Sequence, residues 1–267
     1  MGLRYEPGNW GDLLKAVWVL ESIDAFVARL DSTAMVLRLL DPFAGRPEYP
    51  LTPACADRLT RVGAQPVVTA LEPWLDRGVF PSTGAFLTRL VRERSLDVAW
   101  HLFDQDRDAR AAWSPELPCR ILDLESGYDA LKPSIGAGVR AEDHDVILID
   151  PYALFDQNAS VWQDATRVAA HRCVLLYLYN KASRGEGFFR SYKTLRQNLR
   201  DCLQHHDGVA SILGRVPADG LLPRAHHEVL LLGPKRTIEP LRPRLTEATR
   251  ELVGLIQQDY AVEDPRQ

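Results

Sequence analysis

Three acids stand where apolar runs stop: Asp41 in "LLDPFAGRPEY", Asp104 in "HLFDQD" and Asp150 in "VILIDPYALF". In open α/β sheets, ligands bind just outside the carboxyl ends of the strands, so acids placed there are candidates for binding or proton transfer. Asp-Pro is equally ordinary turn punctuation, which leaves both readings of Asp150 open. The turn after Asp41 contains Ala44 and Gly45, and a glycine there lets the backbone approach a ligand closely. Asp104 could accept hydrogen bonds from ribose hydroxyls or cap a helix. In "LESGYDAL", Ser126 and the Gly127 backbone could face an adenine ring or form a capped turn.

A second candidate is "NKASRGEGFFRSYKTLRQNLR", residues 180–200. It holds Lys181, Arg184, Arg190, Lys193, Arg196 and Arg200 against the single acid Glu186, with Phe188, Phe189 and Tyr192 interleaved. Cations for phosphates and rings for bases suit single-stranded RNA. An amphipathic helix with its rings in the core accounts for the same pattern. The doublets His205-His206 and His226-His227 lack metal-ligand spacing and read as structural or surface residues, so no metal is expected.

These residues need a scaffold, and the chain supplies a regular one. Helical spacing predicts a helix over Asp12 to Leu30, with Asn9 or Asp12 as its cap. Strands are expected in "AMVLRLLD", "VAWHLFD", "CRILDL", "VILID", "CVLLYLY", "VASILGRV" and "HEVLLLG". Helices are expected around Ala159–Ala170, Phe188–Gln204 and Ile238–Ile256. Strands alternating with helices imply a mostly parallel sheet covered on both faces. The last two strands are joined by "PADGLLPRAHH", too short for a crossover helix, and should be antiparallel. A seven-stranded parallel sheet ending in an antiparallel hairpin is the plan of class I S-adenosylmethionine-dependent methyltransferases, a Rossmann-like α/β fold. Residues 46–96 are too many for one crossover; Pro47, Pro50, Pro53, Pro66, Pro73 and Pro81 punctuate them, and two short helices suggest a small helical insertion.

At 267 residues and 46% hydrophobic, the chain suits one globular domain, expected to span 1–267. A net charge of -4 excludes overall basicity as the means of gripping nucleic acid, so any basic site is regional. Cys55, Cys119, Cys173 and Cys202 form no CxxC pair, which suits reduced thiols. The longest apolar run, "VLLYLY", is far too short to span a membrane. The expectation is a soluble, cytoplasmic protein without a membrane partner.

In order along the chain, "YEPGNWGDLLK", "DPFAGRPEY", "FPSTGAFLTRLV", "SGYDALK" and "LIDPYALF" together resemble the RlmJ family of 23S ribosomal RNA adenine-N6 methyltransferases. The resemblance covers about the first 155 residues, and the "DPF" and "DPY" stretches are also similar to three-Cys-motif partner proteins. It implies S-adenosylmethionine as cofactor and ribosomal RNA as substrate. Asp41, Phe43, Ala44 and Gly45 match the turn that holds the cofactor's methionine part. Lys15 matches a segment that also reaches the cofactor, the alternative being a lysine on a solvated helix face. Thr83 stands where the family has a serine near the cofactor, Asp104 is the choice for the ribose acid, and Ser126 replaces an acid before Gly127.

Asp150 and Pro151 match the start of the family's D-P-P-Y signature. The Asp150 carboxylate and the Pro151 carbonyl would accept the two N–H bonds of the adenine amine, and an aromatic ring would hold the base by stacking. Tyr152 stands in place of the second proline and Ala153 in place of the stacking ring. Either Tyr152 or Phe155 takes over stacking, or the acceptor is not adenine. The family's G-x-G becomes Gly45-Arg46-Pro47, and a proline cannot take a positive φ, so this turn must bend differently. Lys181, Arg184 and Arg190 would bind the RNA. Two alternatives stay open: a methyltransferase-like binding protein without activity, and methylation of DNA, protein or a small molecule.

Overall fold

A computed structural model describes residues 7–30, 36–113, 119–122, 124, 126–132, 140–150, 160–180, 197, 200–201, 203–204, 206–217 and 226–260. In chain order the strands are β1 (Val36–Asp41), β2 (Glu48–Pro50), β3 (Val79–Pro81), β4 (Asp97–Leu102), β5 (Cys119–Ile121), β6 (Val146–Ile149), β7 (Cys173–Asn180), β8 (Val209–Pro217) and β9 (His226–Pro234). Seven of them form one sheet in the order β5-β4-β1-β6-β7-β9-β8. Strands β5, β4, β1, β6 and β7 run parallel, while β9 is antiparallel to both β7 and β8. This is the class I methyltransferase architecture, with all seven expected strands in place.

Helix α1 (Trp10–Val27) starts two residues before the expected position because Asn9 is the cap: its side chain accepts from Gly11 N and Asp12 N. Asp12 turns back instead, accepting from Gly8 N at 2.9 Å and Asn9 Nδ2 at 3.0 Å. Helices α2 (Pro53–Val62) and α3 (Pro66–Leu75) each begin on a proline, where the missing N–H costs nothing. They are the two short helices expected in the insertion. The insertion is not purely helical, however: β2 and β3 form a separate antiparallel ribbon, Tyr49 opposite Phe80. Prolines are tolerated there because a two-stranded ribbon is all edge. The remaining α-helices among the described residues are α4 (Thr83–Arg92), α5 (Arg107–Ala111), α6 (Ser160–Ala169), the single turn α7 (Lys235–Ile238) and α8 (Arg242–Tyr260). Most of the helix expected over Phe188–Gln204 lies outside the described residues.

The sheet is buried on both faces, and strand periodicity sorts its side chains into two cores. Leu37, Leu39, Trp100, Val146, Leu148, Leu175, Val229 and Leu231 pack with Leu13, Leu14 and Trp18 of α1 and Leu87 of α4. Leu40, Ile147, Ile149, Val174 and Leu176 pack on the other face with Ala165 and Val168 of α6. At 25 cal/mol per Å², each fully buried Leu or Ile contributes roughly 1.5–3 kcal/mol, so these two layers hold the strand register. No helix among the described residues is long and apolar enough to cross a membrane.

Candidate functional site

Period two along the strands decides what faces α1. Continuing the rows Leu37-Leu39, Val146-Leu148, Cys173-Leu175 and Leu231-Val229 by two residues reaches Asp41, Asp150, Tyr177 and His227. All four therefore arrive under the first turns of α1, where Lys15 descends between them. Lys15 is only 3% exposed. Its ammonium pairs with Asp12 at 2.9 Å and with Asp150, and lies 4.5 Å from the centre of the Tyr177 ring. The solvated-face alternative for Lys15 is thereby excluded. Burial pulls its pKa down, but Asp12 and Asp150 outweigh burial and hold it above the ordinary value. A buried ammonium survives only because it is paired.

Asp41 is 4% exposed and accepts from Phe43 N at 3.2 Å. Burial raises its pKa to about 7; the Phe43 amide opposes that rise and Asp150 adds to it. Asp150 keeps 30% of its side chain open, and its pKa too is raised, by burial and then Asp12, against the pull of Lys15. Tyr177 Oη lies 2.5 Å from His227 Nδ1, and burial takes the imidazole down to about 4, so it is neutral at physiological pH. His227 is thus a core residue of the site rather than a surface one. Its neighbour His226 sits 3.2 Å from the fully buried Glu228, which also accepts from Arg215 Nε at 2.8 Å.

Two loops close the site beside β1. Gly45 takes a φ of +59°, so the bend that Pro47 cannot make is made two residues earlier. Gly45 N donates to Asp104 at 2.9 Å, and Trp113 Nε1 donates to the Gly45 carbonyl at 3.0 Å. Asp104 also accepts from Asp106 N at 2.8 Å, while Asp106 rather than Asp104 caps α5. Asp104 therefore clamps the ends of β1 and β4 together, with carboxylate lone pairs left for a ligand. The Tyr49 hydroxyl packs over Gly45 and lies 3.0 Å from Arg46 N. Pro47 in turn accepts from Ser82 N at 2.8 Å, which ties the loop to the start of α4. Thr83 is the first residue of α4 behind the Ser82 cap. Ala44 is buried, its N–H on the Phe103 carbonyl at 3.0 Å.

Ser126 forms a capping box with Asp129 at the head of a short helix over Gly127–Leu131. Gly127 is pressed against the Pro42 carbonyl and the Phe43 ring, with no room for a Cβ. Phe43 meets Tyr128 edge-on at 4.9 Å, so this turn supports the first loop from below. The structure therefore brings Lys15, Asp41, Phe43, Ala44, Gly45, Asp104, Ser126, Gly127 and Asp150 to one end of the sheet. Pro151, Tyr152, Phe155, Lys181, Arg184 and Arg190 lie outside the described residues. Asp12, Tyr49, Tyr177 and His227 are members that sequence reasoning missed as site residues. No group of three or more His, Cys, Asp or Glu among the described residues is placed to hold a metal ion.

No family model matches the chain, and no curated protein matches it. Among solved structures, a Legionella pneumophila protein of the DUF519 family model is 13% identical, with a TM-score of 0.64 over 93% of this chain and 94% of that one. At that identity the likeness shows the fold alone. A cofactor-bound protein from Mycobacterium tuberculosis is 11% identical, with a TM-score of 0.41 over 84% of this chain and 79% of its own. A Clostridium thermocellum protein assigned as an rRNA methylase is 12% identical, with a TM-score of 0.39 over 86% of this chain and 97% of its own. These last two lie too far away to bear on this chain's chemistry.

Proposed function

We propose that the chain is an S-adenosylmethionine-dependent methyltransferase that acts on RNA, at adenine N6. The observation that carries this reading is the acidic set at the carboxyl ends of β1, β4 and β6, Asp41, Asp104 and Asp150, joined from α1 by Asp12, with the Lys15 ammonium paired to Asp12 and Asp150 and Asp104 holding Gly45 N. Excess negative charge in a buried site calls for a cationic ligand. S-adenosylmethionine carries both a sulfonium and an ammonium, and its ribose hydroxyls suit Asp104, so the residues present fit it. When bound, it supplies a methyl group activated by the positive sulfur.

The chain's own groups do the rest. Asp150, directly after β6, accepts an N–H of the exocyclic amine, which localises the nitrogen lone pair toward the methyl group. The methyl group's bond to sulfur would break as the C–N bond forms, leaving the neutral thioether S-adenosylhomocysteine, and Asp150 would take the proton that the nitrogen loses. Lys15 fixes the Asp150 carboxylate in place, and its positive charge opposes the rise in pKa that burial causes. Asp41 would hold the cofactor's cationic end. Either Tyr152 or Phe155 would supply stacking for the base.

One observation favours a second reading, a binding protein without turnover: the Lys15 ammonium already occupies Asp150. Transfer of radiolabelled methyl groups to total RNA, compared between the native chain and Asp150→Asn, separates the two. The enzyme reading expects incorporation that falls about 10²–10⁴-fold in the variant. Cofactor binding with no incorporation into any RNA would leave the binding-protein reading.

A further inference from the structure

At the opposite end of the sheet, where the parallel strands begin, lies an open groove of about 750 Å³. It is lined by Arg29 after α1, Arg140 before β6, Arg172 before β7, and Lys235 and Arg236 directly after β9, with Glu142 as the one acid. Five cations thus converge from four separate segments of a chain whose net charge is -4. Glu142 offsets them only in part: its carboxylate pairs with Arg167, outside the groove lining, and more loosely with Arg140 at 3.8 Å. Arg29 spends its inner donors on neutral acceptors, the His171 carbonyl at 2.6 Å and Thr237 Oγ1 at 3.3 Å. Arg172 likewise donates to the Glu142 carbonyl at 2.5 Å. These bonds fix the two guanidinium groups without cancelling their charge. Lys235 and Arg236 are exposed and have no ion-pair partner among the described residues.

We infer that this groove is a second, non-catalytic docking site for the phosphate backbone of the RNA substrate. The inference rests on the RNA reading above for the identity of the polyanion. Charge complementarity selects phosphates, and arginine forks hold phosphate oxygens two at a time. The spread of the cations around an open groove selects a chain of phosphates over one small anion, since a small-anion site gathers its donors on a point. About five residues of parallel strand, roughly 15–20 Å, separate the groove from Asp150. A substrate that touches both must be an RNA strand long enough to reach from one end of the sheet to the other. The groove then adds affinity and orientation without reading sequence.

The test is fluorescence anisotropy of a labelled single-stranded RNA oligonucleotide over a series of salt concentrations, with the full chain and with Lys235→Gln/Arg236→Gln. Both side chains are exposed, so thermal unfolding should not move. Loss of two phosphate contacts should weaken binding and make the slope of log K against log salt shallower by about 1.4. RNA binding with an unchanged slope in the variant would overturn the groove and leave the RNA reading standing. No RNA binding by the native chain would overturn both. Inorganic pyrophosphate provides the other arm: if it binds the native chain through Lys235 and Arg236 while RNA does not, the groove is a small-phosphate site and the inference fails.

Discussion

At one end of the sheet Asp41, Asp150 and Lys15 are withdrawn under α1; at the other, Arg29, Arg140, Arg172, Lys235 and Arg236 stand around an open groove. The same parallel strands deliver both sets, yet the two treat charge in opposite ways. Under α1 Lys15 is paired with Asp12 and Asp150 and burial holds Asp41 partly neutral, because an unpaired buried ion costs several kcal/mol. In the groove, water screens the cations, which can remain unpaired at almost no expense. The buried set is consequently rigid and selective, suited to one small cationic ligand and a proton. The open set is tolerant, suited to a long anion held at several points.

That contrast can be broken by removing single charges. Lys15→Met deletes the ammonium and leaves Asp12 and Asp150 facing each other in the core. We expect a loss of about 3–5 kcal/mol in urea unfolding, and a loss under 1 kcal/mol would show the pair to be solvated after all. Gly127→Ala tests whether the loops beneath the acids are packed as tightly. Its new methyl group meets the Pro42 backbone carbonyl and the Phe43 ring, and we expect about 1–3 kcal/mol of destabilisation by the same measurement. The groove should give the smallest response: Lys235→Gln/Arg236→Gln should stay within about 0.5 kcal/mol of the native chain, the usual range for exposed substitutions.

Much of the acid-rich end was legible because Asp41, Asp104 and Asp150 each end a run of apolar residues. "AMVLRLLD" and "VILID" announced both a strand and the acid at its end, and Asn9 was one of the two caps offered for α1. Tyr177 and His227 were not legible. Their role depends on β9 pairing antiparallel to β7 with Tyr179 opposite His227, a register that no local pattern carries. Asp104 was placed correctly but not its bond to Gly45 N, which spans 59 residues. The β2–β3 ribbon was hidden by its own prolines, which read as breakers. The groove was invisible because its cations come one or two at a time from segments far apart in sequence.

The partly neutral Asp41 gives the most direct test of the central claim. Its pKa is raised to about 7, so the folded chain holds a proton that the unfolded chain releases near 3.8. The stability contributed by this protonated group is present at low pH and is lost as pH rises through about 7, and Asp41→Asn should therefore stabilise the chain more at about pH 8 than at about pH 5. A cationic cofactor needs the ionised form, so its affinity should change in the opposite sense. The decisive measurement is calorimetric titration with S-adenosylmethionine from about pH 6 to about pH 8, for the native chain and Asp41→Asn. The account predicts binding on the order of micromolar that tightens as pH passes about 7, and that both weakens and loses its pH dependence in the variant. No binding, or binding indifferent to pH and to Asp41, would contradict it.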